Sequence, residues 1–341
     1  METLGVGEEK INSAEISEQD LSAAAAAFTT DFRGAKKDAG FYQSEQKIDW
    51  KVLQLGLTEA KSAALASCQN EKLKDCLATA YGLLTVMTNQ EWIDEYRRRL
   101  AKAETPEQKK EIHTKLHQMP LNLAEWQHKC ISMIKELEDI AGGEEFIASV
   151  WTQMSDIGSR RRVDGGVSDR EVRKIKNGVL GLRAVIDSFE YVCAGSEVEI
   201  ILPKPEEDVE EKIDLLAIKD KKSCAIQIKS HHQDGIGEIG CKAISGFQST
   251  VGLDLEQRKV VEDQNKFWEK INQRRKKGDN ISALWVDVDG QPTDKINQTT
   301  GKPALEYLEE QDSGGFGADV RQGLGIRRNT LGEVAHFRQA A

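Results

Sequence analysis

The chain has 341 residues, of which 39% are hydrophobic and 30% charged, and its formal net charge at pH 7 is −10. This length allows two domains, each large enough to bury a core. The negative balance argues against indiscriminate nucleic-acid binding, which needs a cationic surface, but it does not exclude a local basic surface.

The sequence also lacks the features of membrane and secreted proteins. Its longest apolar run, residues 23–28, is too short to span a bilayer, and the first ten residues lack the basic and apolar regions of a signal peptide. The six cysteines are scattered, without the paired spacing of zinc sites. We therefore expect a cytoplasmic protein with reduced cysteines and no membrane partner.

Helical patterns dominate the first half of the chain. Residues 1–40 are polar and alanine-rich, so we expect a mobile tail with one helix over residues 18–28. From residue 48 to 142, apolar residues recur at three- and four-residue steps, as in Leu73, Leu77 and Tyr81. The pattern predicts an α-helical domain over residues 41–158, followed by a basic, glycine-containing linker at residues 159–168.

Strand patterns appear only in the second half. A helix is predicted to begin at residue 169, where the segment Ser-Asp-Arg-Glu resembles a capping box, and a second long helix covers residues 255–277. The strands are predicted at residues 197–202, 212–218, 223–230 and 281–288. The two central strands form a hairpin, and the order of elements is helix, three strands, helix, strand.

Two glycine-rich segments complete the predicted organisation. Residues 235–240 formally match G-x-G-x-x-G, but no suitable helix follows, and we expect a mobile loop instead. The segment 291–341 is rich in glycine and polar residues and is expected to form a tail with at most short elements.

Three polar residues stand out in the hairpin. Asp214 interrupts an apolar strand, and Gln227 and Lys229 lie two residues apart on the next strand, so both project from the same face. An amide and an ammonium on a central apolar strand are costly to bury without partners. A metal-binding carboxylate on the adjoining strand is one natural partner. A simple cross-strand pair on the polar side of an edge hairpin is the alternative.

The segments Ile-Asp-Leu at 213–215 and Ile-Gln-Ile-Lys at 226–229 resemble the PD-(D/E)XK nuclease signature, in the variant with glutamine in place of the middle acid. The order of elements over residues 169–290 also resembles the αβββαβ core of that fold, with a mixed four-stranded sheet. The resemblance implies an α+β protein in which an N-terminal helical bundle precedes a restriction-endonuclease-like domain.

The resemblance further implies metal-dependent hydrolysis of phosphodiester bonds. Asp214, the side-chain carbonyl of Gln227 and the backbone carbonyl of Ile228 would hold Mg²⁺, for which Mn²⁺ would substitute. The ion would polarise the scissile phosphate and acidify a bound water. Lys229 would orient or deprotonate that water and stabilise negative charge on the phosphorus.

Many members of this family carry a supporting glutamate on the first helix. The corresponding position in this sequence lies near Leu182 or Arg183, neither of which is acidic. Asp187 and Glu190 lie on the same helix stripe one and two turns later, and Glu190 is the preferred substitute. If neither reaches the site, the domain binds its ligand without cutting it.

Basic residues on both core helices are expected to hold a phosphate backbone, and DNA is the substrate that the resemblance implies. These candidates are Arg173, Lys176, Arg183, His231, Lys259 and Lys266. The helical domain would select the substrate, form a homodimer or recruit a protein partner.

Two other functions stay open. The first is a catalytically degenerate nuclease-fold protein that binds nucleic acid or a protein, an alternative favoured by Gln227 and by the missing helix glutamate. The second is an interaction scaffold whose function lies in the helical half.

Overall fold

A computed structural model describes residues 15–43, 48–89, 99–164, 169–230 and 235–326. The chain forms two compact units, one of Met1–Asp94 with Ser132–Asp169 and one of Glu95–Ile131 with Arg170–Ala341. The first unit ends near the expected linker. The described residues 99–131, which the sequence analysis assigned to the helical domain, group with the second unit.

The first unit is helical. Its helices are α1 (Glu18–Asp38), α2 (Trp50–Ser67), α3 (Glu71–Asn89), the C-terminal end of α4 (Pro106–Leu137) and α5 (Gly143–Asp164). The hydroxyl of Ser17 accepts the N–H of Asp20 at 3.1 Å and so caps the start of α1.

Helix α1 is ten residues longer than expected and belongs to the core rather than to a tail. Its residues Leu21, Phe28 and Phe32 are fully buried, and the ring of Phe28 packs edge-on against Tyr81, with 4.9 Å between centroids. The apolar stripe falls at intervals of seven and four residues, a helical spacing that the surrounding alanines and charges obscure in the sequence. The expectation of a mobile segment was therefore wrong from Ser17 to Asp38.

The second unit contains a mixed five-stranded sheet in the order β1-β2-β3-β5-β4, flanked by helices. Its strands are β1 (Glu199–Ile201), β2 (Leu215–Lys219), β3 (Lys222–Ser230), β4 (Ile239–Ala243) and β5 (Ile281–Val288). Its further helices are α6 (Asp169–Val192), α7 (Pro205–Glu211), α8 (Leu255–Lys276), α9 (Leu305–Ser313) and α10 (Gly315–Leu324). Strands β3 and β5 are parallel, and the other neighbouring strands are antiparallel.

The α+β class is confirmed, but the count of four strands was wrong, and the predicted order of elements is interrupted by helix α7 between β1 and β2 and by strand β4 before α8. Strand β4 occupies the segment expected to be part of a loop and pairs with the edge of β5, from Ile239 opposite Val288 onward. The N–H of Ile239 also donates to the hydroxyl of Tyr307 at 2.8 Å. Because Ile239 is the only large apolar side chain of β4, the strand gives no clear alternation for a sequence pattern to detect.

The segment after β5 packs on the sheet instead of leaving it. A Cβ on Gly323 of α10 would lie 2.6 Å from the side chain of Leu284 in β5, so only glycine allows this approach. The ring of Phe316 packs edge-on against Phe189, with 5.5 Å between centroids. Helices α9 and α10 are short, as expected, but residues 305–324 are part of the sheet unit.

Helices cover the two faces of the sheet. Phe267 of α8 packs beside Trp285 of β5, with 6.5 Å between centroids. Gly181 of α6 lies against the opposite face, where an added Cβ would stand 2.9 Å from the hydroxyl of Ser230. Because side chains alternate along a strand, Gln227 and Lys229 project toward the α8 layer. None of the helices in the described part of the chain is long and apolar enough to cross a membrane.

Candidate functional site

Asp214 lies at a bend just before β2, not inside the strand as the sequence analysis expected. Its N–H donates to the carbonyl of Ile226 at 2.9 Å, and Leu215 is paired with the same residue. Two consecutive residues therefore stand opposite one, which is the arrangement of a β-bulge. The bulge turns the carboxylate of Asp214 toward the neighbouring strand.

The hairpin brings Asp214 into direct contact with β3. Its Oδ2 accepts the side-chain N–H of Gln227 and, at 2.6 Å, the backbone N–H of Ile228. Gln227 is 4% exposed, so its amide needs a partner inside the protein. Where the backbone pairing of β2 ends, the carboxylate of Asp214 accepts the N–H groups of β3 in place of a backbone carbonyl.

The pKa of Asp214 is raised to about 7, first by burial and then by the negative charge of Asp208 on α7. The hydrogen bond from Ile228, the charge of Lys229 and the hydrogen bond from Gln227 act in the opposite direction. The raising effects dominate, so a substantial fraction of this carboxyl keeps its proton at neutral pH. A metal ion at this position competes with that proton.

Asp208 is a neighbour that the sequence analysis missed. It belongs to the acidic run 206–211, and its carboxylate lies 3.5 Å from the Nε2 atom of His128 on α4. The available signal was Pro205, which occupies the first turn of α7 and is typical of a helix start. The sequence does not show that this helix would turn Asp208 toward the hairpin.

Lys229 lies on the same face of β3 as Gln227. Its Nζ stands 5.8 Å from the centre of the Trp285 ring, a cation–π distance. The indole N–H of Trp285 donates at 2.9 Å to Asp287, which is the register partner of Lys229 on β5. The ammonium is therefore held beside the site, close enough for its charge to lower the pKa of Asp214.

The supporting acid expected on α6 is not part of this contact network. Glu190 is exposed on α6, and that helix packs on the face of the sheet opposite to Gln227. Asp187 accepts a hydrogen bond from the buried guanidinium of Arg183. The role of Glu190 stays a prediction.

The basic candidates differ in their exposure. Arg173, Lys259 and Lys266 are exposed, and burial lowers the pKa of the half-buried Lys176. Arg183 is 4% exposed and bound to Asp187, which leaves its guanidinium no surface for a phosphate. His231 lies outside the described residues.

The fit of this site to a metal ion is partial. Within the ranges that the structure describes, no group of three or more His, Cys, Asp or Glu side chains is arranged to hold one. Asp214 supplies one carboxylate. Gln227 directs its amide nitrogen at that carboxylate, so its oxygen becomes a ligand only after a half-turn of the amide.

Comparisons with known proteins give no information on this site. The chain matches no protein-family model, no curated protein and no solved structure.

Proposed function

We propose that this protein is a metal-dependent nuclease whose second unit has the restriction-endonuclease-like fold. One observation carries the proposal: the carboxylate of Asp214 touches the amide of Gln227, with Lys229 on the same face of β3. The shared face is the feature that the PD-(D/E)XK resemblance requires of these residues. A bulge next to the acid is typical of strands that aim a side chain at an active site.

In this proposal Asp214 and the side-chain oxygen of Gln227 hold Mg²⁺ or Mn²⁺, with the carbonyl of Ile228 as a further oxygen ligand. When bound, the ion supplies polarisation of the phosphate and a more acidic water. Lys229 orients the attacking water and stabilises the negative charge that develops on the phosphorus. Trp285 keeps the Lys229 ammonium in place through its ring face.

The basic residues of α8 divide into two parts. At its C-terminal end, Arg274 binds Glu207 at 3.2 Å, Glu211 at 3.1 Å and Asp279 at 2.8 Å, so its charge is already neutralised. Nearer its N-terminus, Lys259 and Lys266 are exposed, and the ion pair of Lys266 with Asp263, at 3.3 Å, leaves most of the lysine side chain accessible. We therefore place the phosphate backbone along the N-terminal part of α8, with DNA as the substrate.

The Asp214→Asn variant tests the proposal in two measurements, one of metal binding and one of DNA cleavage. Mn²⁺ is titrated into the unmodified protein and the variant at pH 7.5, and both are incubated with supercoiled plasmid and with single-stranded DNA. We expect saturable Mn²⁺ binding and cutting by the unmodified protein, and loss of both in the variant. Undiminished metal-dependent cutting by the variant would show that Asp214 does not hold the ion.

A second candidate is a nuclease-fold protein that binds DNA without cutting it. It is favoured by the small donor set, a single carboxylate whose Oδ2 is already engaged by two N–H groups. Such a protein binds DNA with an affinity that falls steeply with salt concentration and leaves the plasmid intact with every metal. An affinity that does not change with salt would exclude phosphate recognition.

A further inference from the structure

A cavity of about 380 Å³ lies at the end of the sheet where β3 and β5 begin. It is bounded by the β2–β3 turn and by the C-terminal ends of α8 and α10, and three basic residues line it: Lys219, Lys222 and Arg275. Lys229 lies seven positions after Lys222, a span of roughly 23 Å along β3. The cavity is therefore distinct from the Asp214 site.

The two lysines stand directly opposite each other. Lys219 and Lys222 are register partners at the closed end of the β2–β3 hairpin. Like charges at directly opposed positions destabilise a strand pair. Neither lysine forms an ion pair with any residue in the described part of the chain. An anion between them would relieve the repulsion.

The third cation is held rigidly. The Nε of Arg275 donates to the carbonyl of Ile281 at 2.7 Å, and its guanidinium lies 4.6 Å from the centre of the Trp268 ring. A guanidinium fixed by stacking and by one hydrogen bond loses little conformational entropy when its remaining N–H groups bind an oxyanion. Arg275 thus provides a preorganised donor beside the two lysines.

Three acceptor groups that line the cavity already have donors. Asp279 binds Arg274 at 2.8 Å. The carbonyl of Asn280 accepts the N–H of Ser223 at 3.0 Å. The carbonyl of Gly323 accepts the hydroxyl of Ser282 at 3.0 Å. Three cationic side chains therefore line the cavity against one carboxylate, that of Asp279, and the lining carries a net positive charge.

We propose that this cavity binds the phosphate group of a small phosphorylated ligand, with Lys219, Lys222 and Arg275 as its phosphate-binding residues. Its volume falls within the usual range of small-molecule sites, so it accommodates a mononucleotide. The proposal does not depend on nuclease activity, because the cavity shares no residue with the Asp214 site.

Calorimetric titration of the full chain with ADP, with inorganic phosphate and with a 20-nucleotide single strand tests this inference. The informative variant is Lys222→Gln. The matched control is Lys221→Gln, which removes a charge from the same turn but from a residue that does not line the cavity. We expect saturable ADP binding that weakens at least tenfold in Lys222→Gln and is unchanged in Lys221→Gln.

Lys222→Gln also removes the repulsion between Lys219 and Lys222. Without ligand, this variant should therefore melt at the same temperature as the unmodified protein or at a higher one. ADP should raise the melting temperature of the unmodified protein but not that of Lys222→Gln. Absence of saturable binding at millimolar ADP would overturn the inference, as would equal weakening by both substitutions. Binding of the oligonucleotide alone, with the same dependence on Lys222, would overturn the small-ligand assignment in favour of a nucleic-acid strand.

Discussion

The carboxylate of Asp214 accepts a hydrogen bond from the side-chain amide of Gln227, across the point where the β2–β3 pairing ends. These residues are thirteen positions apart in the chain, and a hairpin with a bulge joins them. The contact links a partly buried acid, a buried amide and a strand that also carries Lys229. The stability of the protein and its response to metal should both depend on this pair.

The first prediction concerns pH. The pKa of Asp214 is raised to about 7 from its ordinary value of 3.8, so between these values the folded state holds more protons than the unfolded state. The contribution of Asp214 to the free energy of unfolding is fully present below pH 3.8 and is lost as pH rises through 7. A pKa shift of this size changes the free energy of unfolding by on the order of 4 kcal/mol.

Chemical denaturation at pH 5 and pH 8 measures this contribution. We expect Asp214→Asn to reduce the difference in unfolding free energy between the two pH values. Asp208→Asn should lower the pKa of Asp214, because it removes the neighbouring negative charge, and so move the transition to lower pH. An unchanged difference in Asp214→Asn would contradict the assignment of the titration to this residue.

The second prediction concerns Gln227→Glu. Two adjacent buried carboxylates repel each other without a cation and bind a divalent ion more tightly than one carboxylate does. We expect Gln227→Glu to be less stable than the unmodified protein at pH 8 without metal. We expect it to bind Mn²⁺ about tenfold more tightly, a difference of about 1.4 kcal/mol in binding free energy. Gln227→Met, with no oxygen ligand, is the control and should bind Mn²⁺ more weakly. Equal Mn²⁺ affinity in both variants would exclude Gln227 as a ligand.

The third prediction concerns a buried lysine in the helical unit. The ammonium of Lys36 lies 2.8 Å from Asp156 and 4.8 Å from the centre of the Phe32 ring, and the residue is 5% exposed. Asp156 is partly exposed, so the loss in Lys36→Met should be about 1–3 kcal/mol rather than the larger value of a fully buried pair. The neighbouring exposed residue provides the control, because Lys37→Met should change the unfolding free energy little. Equal losses of unfolding free energy in the two variants, measured by urea denaturation, would contradict a structural role of Lys36.

The fourth prediction tests the packing of α10 on the sheet. Gly323→Ala forces a methyl group against Leu284 and should destabilise the protein by about 1–3 kcal/mol. Gly315→Ala, in the same helix, meets no atom within 4 Å and should be neutral or slightly stabilising. Thermal melting of both variants decides the matter, and a neutral Gly323→Ala would argue that α10 is not held against β5.

The sequence predicts the hairpin well because its signals are local. Residues 223–230, the second strand of the hairpin, and residues 281–288 are rich in β-branched and apolar residues, and both form strands within one residue of the expected bounds. The first strand of the hairpin, predicted at residues 212–218, spans Leu215–Lys219. The proximity of Asp214, Gln227 and Lys229 follows from the short turn between two strands. These features need only neighbouring residues and the period of a strand.

The remaining elements depend on tertiary contacts that a sequence pattern does not contain. Strand β4 is defined by its pairing with β5, and α10 by the fit of Gly323 against Leu284. Asp208 affects the site through the position of α7, a seven-residue helix with no buried residue of its own. The register of an edge strand and the placement of a short polar helix are decided by partners distant in the chain.

The most direct test of the central claim is plasmid cleavage by the unmodified protein, Lys229→Ala and Lys242→Ala in Mg²⁺ and in Mn²⁺. Lys242 is an exposed lysine on β4, which lies three strands from β2 in the sheet, and it controls for the loss of one positive charge. The proposed function predicts metal-dependent cutting that persists in Lys242→Ala and disappears in Lys229→Ala. Cutting that survives in Lys229→Ala, or no cutting by the folded unmodified protein with either metal, would contradict it.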